Sequence, residues 1–237
     1  MELCAAPWNG FERTAMPRKS VAIVAAMRME LAPLFRGFRP QRADGIEFFE
    51  MDDAVVAVGG VGRAAATRAT ETVIAKFEPA RIVSAGLVGA VTEKLKVGDV
   101  VHAREVIDAD SGRRFISAEA AGDGVLVTAS SVSGPAEKRR LAQRWNADVL
   151  DMEGAAVAAQ AQRSGIAFSA VKAVSDELDF VMPPLGKFVN DEGRFETLRF
   201  LAYVAVRPKW WKDVRELSAN SRKATANLCS ALGHLIG

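Results

Sequence analysis

Three acidic positions in this chain follow runs that have the pattern of buried strands. They are Glu30, Glu153 with its neighbour Asp151, and Asp176. Each comes after β-branched and small apolar residues, as expected for strands buried on both faces. The ends of such strands are where open α/β sheets hold ligands, and carboxyl groups held there can transfer protons. The residues therefore predict an acid–base site. The alternative for each acid is a structural one, in which it complements or caps the start of a helix.

Two glycine-rich segments stand at comparable positions. Gly59-Gly60-Val61-Gly62 precedes a predicted helix that runs to about Phe77, and the segment 86–89, GLVG, ends a predicted strand over 81–85. Free amides at a helix start can bind an anion, and glycine lets a ligand approach the backbone closely. The sequence GGVG matches neither the dinucleotide nor the P-loop fingerprint. Arg63 is either part of an anion site or a solvated residue of the first helical turn.

The composition is that of an ordinary globular protein and argues against several classes. Of the 237 residues, 49% are hydrophobic and 25% charged, and the net charge of +2 is too small to indicate nucleic-acid binding. Cys4 and Cys229 form no disulfide framework, which indicates a reducing, cytoplasmic location. They and the two histidines, His102 and His234, have no usual zinc spacing. We expect no metal and no cofactor.

Strands alternate with helices from residue 20 onwards, which predicts a single α/β domain over 20–237. Residues 1–19 are polar, broken by proline and glycine, and lack the apolar core of a signal peptide, so we predict a disordered leader. The last part, about 195–237, is predicted to be an extended helical segment with two helices divided by Arg207-Pro208. No stretch approaches the roughly 18–20 apolar residues of a membrane span.

Four segments together resemble the nucleoside phosphorylase and nucleosidase superfamily, which includes the methylthioadenosine/S-adenosylhomocysteine nucleosidases. In the family's order they are VAIVAAMRMELAPL, VAVGGVGRAAATRATETVIAKFEPARIVSAG with LKVGDVV, ADVLDMEGAAVAAQA and AFSAVKAVSDELD. The resemblance implies a three-layer α/β/α sandwich with a central, partly barrel-like mixed sheet. It also implies assembly as a dimer or a larger oligomer, and we expect a homodimer.

The same resemblance implies roles for the acids. Glu30 matches the base that activates water in the nucleosidases, and Asp176, preceded by Ser175, matches the residue that hydrogen-bonds or protonates the purine at N7. Glu153 matches the acid that binds the ribose hydroxyls, with Met152 beside the sugar. Adenine leaves poorly as an anion, so an acid must deliver a proton as the N-glycosidic bond stretches. Glu30 and Asp176 are thus the predicted catalytic residues, and Met152, Glu153 and Ser175 are predicted to bind substrate.

Two further substrate-binding positions depart from the nucleosidase pattern. At the strand end that includes Gly86, the family carries a serine near the sugar or the nucleophile, whereas this chain has Leu87. Val132, in TASSVSG, matches an aromatic residue that stacks on the base. We still assign Gly86, Leu87 and Val132 to the substrate site. Glu30 indicates water as the acceptor, whereas the phosphorylase relatives indicate phosphate, so phosphate stays a candidate co-substrate.

The segment 178–228 is similar to the tail of the hopanoid-associated phosphorylases. The shared features are Pro183-Pro184, Gly193-Arg194, the Arg207-Pro208 break and Asn220-Ser221. The resemblance implies cleavage of the N-ribosyl bond of a 5′-substituted adenosine with release of adenine, the substrate being adenosylhopane, a pentacyclic lipid nucleoside. Two alternatives stay open: a methylthioadenosine/S-adenosylhomocysteine nucleosidase, and a catalytically silent protein that binds a lipid or a nucleoside.

The tail also alternates aromatic with basic side chains. Phe200, Trp210 and Trp211 stand among arginines and lysines, a combination typical of an interfacial membrane patch. The alternative is that these aromatics form core or a subunit interface. We predict a cytoplasmic enzyme acting on an adenine nucleoside, lipid-linked in the leading prediction, with peripheral contact at the inner face of the membrane and no nucleic-acid partner.

Overall fold

A computed structural model describes residues 19–118, 122–131 and 134–236. The predicted leader, apart from Lys19, lies outside the described residues, and so does Val132. The strands are β1 (Val21–Ala25), β2 (Gln41–Ala43), β3 (Ile46–Glu50), β4 (Ala54–Val58), β5 (Arg81–Ala90), β6 (Val100–Asp108), β7 (Arg114–Ile116), β8 (Gly124–Thr128), β9 (Val149–Asp151) and β10 (Ala167–Asp176). The helices are α1 (Arg28–Leu31), α2 (Arg63–Phe77), α3 (Pro135–Trp145), α4 (Gly154–Arg163), α5 (Thr197–Ala205) and α6 (Trp211–Leu232).

The sheet is mixed and partly closed. Strand β1 lies between β4 and β5 and is parallel to both, while β3 and β2 extend the β4 edge in antiparallel fashion. Strand β5 also pairs with β9 and with β10, and the order β5–β9–β8–β6–β10 returns to β5. Five strands therefore close into a barrel, which confirms the predicted barrel-like mixed sheet.

Helices cover both faces of this sheet. Helices α2 and α4 share one apolar core with it, and α1 and α6 share a second core on the opposite face. Small residues permit the close approach: Ala155, Ala158 and Ala161 of α4 are buried, and a Cβ at Gly59 would lie 2.3 Å from that of Ala69 in α2. The predicted three-layer α/β/α sandwich is confirmed.

Two strands run further than their sequences predict. The sequence predicts that the strand over 81–85 ends at the glycines that follow, yet β5 continues through them to Ala90, and β10 includes Asp176. The reason is tertiary. The two strands pair in parallel along their length, so Gly86 and Leu87 find partners in Lys172 and Ala173. Leu87 and Asp176 consequently belong to barrel strands instead of following them.

The predicted helical tail is present, with α5 and α6 separated by a 3₁₀ turn over Pro208–Trp210. Within the described ranges, no helix is both long and apolar enough to cross a membrane. For two of the tail aromatics, the structure agrees with the alternative that they pack into core. Phe200 is buried, and Trp210 packs partly buried against a small apolar cluster that also contains Phe188 and Val204. Trp211 is about half exposed, at 51%.

Candidate active site

One cavity of about 590 Å³ collects most of the predicted site residues. This volume is ordinary for a small-molecule site. Strand ends of the barrel form its floor, and the chain from 182 to 221 forms its outer wall. Six predicted residues line it: Glu30, Leu87, Met152, Glu153, Ser175 and Asp176. Gly86 lies behind it, in the wall of a small chamber described below.

Glu30 is held at the entry to α1 by backbone amides. Its Oε2 accepts a hydrogen bond from the Met27 amide at 2.8 Å, and its Oε1 accepts one from the Leu87 amide at 3.0 Å. Leu87 therefore contributes its backbone, which any residue can supply. A Cβ at Gly86 would lie 3.1 Å from Glu30 Oε1, so glycine lets β5 pass this close. Burial raises the pKa of Glu30 against the opposing amides and the Lys172 charge, which suits a general base.

Glu153 is bound by the first glycine-rich segment. The Gly62 amide donates to its Oε1 at 2.6 Å, and the Met152 amide lies 3.2 Å from its Oε2. Burial and the neighbouring Asp151 charge raise the pKa of Glu153 to about 7, against the Gly62 hydrogen bond and the Lys172 charge. Near neutral pH the group therefore exchanges between a carboxylate, which accepts hydroxyl hydrogen bonds, and a carboxylic acid.

The remaining amides of that segment are also occupied by protein groups. Gly59 and Gly60 donate to the carbonyls of Ala25 and Ala26, and Val61 donates to that of Gly193. Arg63 makes two hydrogen bonds to Asp108, at 2.7 and 2.9 Å, and a third to Asp110. The amides and the arginine that were candidates for an exogenous anion are thus engaged elsewhere.

Asp151 has a structural role beneath the site. Its carboxylate accepts hydrogen bonds from the Thr128 hydroxyl at 2.7 Å and from the Gly154 amide at 2.9 Å, at the start of α4. Its Oδ2 also lies 2.9 Å from the Lys172 ammonium, which in turn donates to Ser84 at 3.0 Å. For Asp151, the structural alternative is the better interpretation. Its ion pair with Lys172 places a positive charge behind Glu30 and Glu153.

Asp176 also forms a buried ion pair. Its Oδ2 lies 2.5 Å from the Lys138 ammonium, and its Oδ1 lies 2.9 Å from the Ser175 hydroxyl. Lys138 comes from α3 and also donates to the Glu177 carbonyl at 2.7 Å. Both side chains of the pair are almost inaccessible, at 2% and 4%. The structure therefore places the Glu30 carboxyl group and the Lys138–Asp176 ion pair around one cavity.

A small chamber lined by both glutamates adjoins the cavity. Its volume is about 10 Å³, and Glu30, Gly60, Gly86, Glu153 and Lys172 contribute to its wall. A space of this size, lined by hydrogen-bonding groups, fits about one water molecule. A water there would lie against the carboxyl groups that can take its proton.

The wall that the tail and the loop before it contribute is mostly apolar. Its apolar side chains are Met182, Leu185, Val189, Phe195, Phe200, Val214 and Leu217, and Ser218 and Ser221 also line it. Phe200 packs edge-on against Phe188, with ring centroids 5.3 Å apart, so this wall is a packed cluster. The cavity thus joins titratable polar groups to an extended hydrophobic surface.

Sequence reasoning missed both lysines. Lys172 did carry a signal, since a single cation inside the apolar run IAFSAVKAV must find a buried partner. Lys138 carried none, because it is one of several basic residues in the predicted helix over 135–145, and only the packing turns it inward.

The chain is similar to nucleosidases in sequence and in fold. Residues 15–123 and 119–197 match the family model described as Phosphorylase superfamily. The 5′-methylthioadenosine/S-adenosylhomocysteine nucleosidase of Shewanella sp. (strain MR-7) is 27% identical over 196 residues, which span 66% of this chain and 83% of that protein.

Solved structures agree on the fold. A 5′-methylthioadenosine/S-adenosylhomocysteine nucleosidase from Helicobacter pylori, with butyl-thio-DADMe-Immucillin-A, has a TM-score of 0.67 at 17% identity, over 92% of this chain and 99% of its own. Futalosine hydrolase of Helicobacter pylori has a TM-score of 0.67 at 18% identity, over 91% and 98%. The predicted superfamily and enzyme class, N-glycosyl bond cleavage, are confirmed. By its sequence match and its fold, the chain belongs to the phosphorylase superfamily.

Proposed function

We propose that this protein hydrolyses the N-ribosyl bond of a 5′-substituted adenosine, releasing adenine, and that the 5′ substituent is large and apolar. The observation that carries this proposal is the single cavity that joins Glu30, Glu153 and Asp176 to the apolar wall of the tail. A nucleoside placed with its base at Asp176 and its ribose at Glu153 and Met152 leaves its 5′ side for the remaining, hydrophobic part. Adenosylhopane, the substrate implied by the tail's resemblance, has this chemistry.

Each acid has one task in the proposed reaction. Asp176 contacts the purine and transfers a proton to N7 as the C1′–N9 bond breaks. Glu153 accepts hydrogen bonds from the ribose hydroxyls and places negative charge near the developing ribosyl cation. Glu30 takes a proton from the attacking water. These steps need neither a metal nor a cofactor.

Water is the proposed acceptor instead of phosphate. A phosphate would require free amides or cations, yet the glycine-rich segment and Arg63 have protein partners. Phosphate would also meet the charges of Glu30 and Glu153. The chamber lined by those two glutamates has the volume for one water.

The proposed setting is the cytoplasmic face of a membrane, where a lipid nucleoside resides. The outer side of α5 and the adjoining turn expose Leu198, Leu201, Val206 and Trp211, at 84%, 51%, 73% and 51%. Exposed Lys209 and Lys212 stand beside them. Apolar and cationic groups together suit an anionic lipid surface. Assembly as a homodimer remains part of the proposal.

The test is release of adenine from a series of 5′-alkylthio-adenosines with methyl, butyl and octyl chains. Each methylene that enters the apolar wall is worth about 0.8 kcal/mol, so kcat/KM should rise about fourfold per methylene until another step limits it. The ribosyl product should be the free sugar, at a rate independent of added phosphate, and Glu30→Gln should lower kcat by roughly 10²–10⁴-fold.

The same series of substrates distinguishes this proposal from the alternative activity, that of a methylthioadenosine nucleosidase. A preference for the methyl member, with loss of activity as the chain grows, would identify a methylthioadenosine nucleosidase, which the similarity to the Shewanella protein favours. A sugar phosphate product would overturn the choice of water.

A further inference from the structure

The ion pair between Lys138 and Asp176 is unusual for its burial. Lys138 lies on α3 between residues that face solvent, such as Arg139 and Arg140, yet its own side chain is turned inward and is 2% exposed. Replacing a buried ion pair by apolar residues is often neutral or stabilising. Fold stability is therefore a weak reason for a lysine at this point, and a role at the neighbouring cavity is a better one.

The surrounding backbone makes room for the pair. A bulge in β10 between Val174 and Asp176 brings Asp176 opposite Gly89 of β5. A Cβ at Gly89 would lie 2.8 Å from Asp176 Oδ2 and 3.0 Å from Lys138 Cε. Glycine thus permits the carboxylate and the ammonium to meet against the strand, and both groups line the cavity.

The hydrogen bond in this pair has a defined direction. The Lys138 ammonium donates to Asp176 Oδ2 at 2.5 Å, and a carboxylate can only accept hydrogen bonds. Adenine, however, must gain a proton as it leaves. In the pair, the transferable proton is carried by Lys138. We infer that Lys138 is a positioning residue that supplies, through Asp176, the proton adenine takes at N7. This inference rests on the proposed function.

The step balances in protons and electrons. As the C1′–N9 bond breaks, its electron pair passes to the purine. Asp176 takes a proton from the Lys138 Nζ, which becomes a neutral amine, and passes that proton to N7, so adenine leaves neutral. The ribosyl cation gains hydroxide from water, whose other proton goes to Glu30. After the products leave, solvent returns a proton from Glu30 to Lys138, so that one water is consumed.

The test removes the lysine side chain and then adds a soluble ammonium ion that can donate a proton in its place. With 5′-octylthio-adenosine as substrate, Lys138→Ala should lower kcat by roughly 10²-fold or more. Ethylammonium carries a transferable proton and should restore activity with saturation. Tetramethylammonium has the same charge but no N–H and should not. Arg140→Ala is the matched control on α3, because Arg140 is exposed and pairs with Glu137 of its own helix, and its kcat should match that of the wild type.

A second substrate separates proton supply from damage to the fold. The N7-methylated form of the same nucleoside already carries the positive charge that protonation would create, so its base leaves without an acid. Lys138→Ala should cleave it within a few-fold of the wild-type rate. A loss of activity on both substrates, or equal rescue by the two ammonium ions, would reduce Lys138 to a structural or purely electrostatic partner.

Two failures can be told apart. If wild-type protein releases no adenine from any 5′-alkylthio-adenosine, the proposed function fails and this inference with it. If the wild type does so and Lys138→Ala turns over the unmethylated substrate at the same rate, only the role of Lys138 is wrong.

Discussion

At the scale of single residues, the site gathers like charges at a cost to the folded state. Glu30 and Glu153 are both held at one small chamber, and the pKa of each is raised, chiefly by burial. Lys172 offsets part of this, but its direct partners are Asp151 and Ser84. A raised carboxyl pKa means that the ionised form, which the proposed reaction uses, is less stable inside the protein than in water. We therefore expect the ionised glutamates, which the proposed reaction needs, to lower the free energy of unfolding.

Glu153→Gln should accordingly stabilise the protein at alkaline pH. The pKa of Glu153 is raised from 4.5 to about 7, so between these values the folded state keeps a proton that the unfolded chain has lost. The contribution of Glu153 to the free energy of unfolding is therefore fully present below pH 4.5, and it falls as the pH rises towards 7. The full loss is on the order of 3 kcal/mol. Calorimetry should show a higher Tm for the variant at pH 8 and nearly equal values near pH 4.

The same variant should lose activity on ribosides, because its neutral amide cannot oppose the ribosyl cation. Glu71→Gln, on an exposed side of α2, is the matched control and should leave both Tm and activity unchanged. Equal Tm values for Glu153→Gln and wild type at pH 8 would contradict the argument.

At the scale of elements, helix α5 has two apolar sides with different surroundings. Phe200 and Val204 are buried towards the cavity cluster, whereas Leu198 and Leu201 face solvent. A helix that covers a core normally keeps its outer side polar. Burial of the inner side explains how α5 packs and forms part of the cavity wall. It does not explain why the outer side is apolar, and contact with another surface would explain that.

Phe200→Ala should weaken recognition of long 5′ substituents. Removing a buried ring typically costs about 3–5 kcal/mol of stability, so the comparison is made well below the variant's Tm. The kcat/KM for the octyl substrate should fall by at least tenfold, whereas that for the methyl substrate should change little. Leu201→Ala, on the outer side of the same helix, should alter neither. A uniform loss across the series would mean that Phe200 supports the fold without touching the 5′ group.

At the scale of the whole molecule, the acids lie at the barrel end and the exposed apolar groups lie on the tail. The segment 182–221 contains α5 and forms the outer wall of the cavity. Only this layer of chain separates the cavity from the outer side of α5. If the outer side rests on lipid, a membrane-bound nucleoside reaches the acids without crossing bulk water. If it rests on a second copy of the chain, that copy would shield the cavity wall.

Flotation with vesicles of anionic lipid separates these two arrangements. Wild-type protein should rise with the vesicles, and Leu198→Asp/Leu201→Asp should stay behind while keeping its activity on 5′-octylthio-adenosine. Ile116→Asp is the control, because Ile116 is 74% exposed on β7, outside the tail. If the wild type does not float and the double variant instead changes from dimer to monomer in light scattering, the surface is a subunit interface.

The sequence by itself determined the order of elements and the acids of the site. Runs such as 20–26 are apolar throughout, so they can be stable only inside a sheet covered on both faces, and helix-forming stretches between them supply the covers. Glu30, Glu153 and Asp176 follow from the same local logic, since each stands near the end of a buried strand. These features depend on neighbours in the chain, which a sequence displays.

Only the tertiary structure decided which groups face one another. Closure of β5 onto β10 extends both strands and sets Asp176 against Gly89, and α3 then turns Lys138 towards it from 38 positions earlier in the chain. Likewise, the glycine-rich segment holds Glu153 instead of a free anion because Gly62 and Glu153, 91 positions apart, meet across the cavity. Side-chain pairing over such separations depends on strand register and helix docking, which no local pattern encodes.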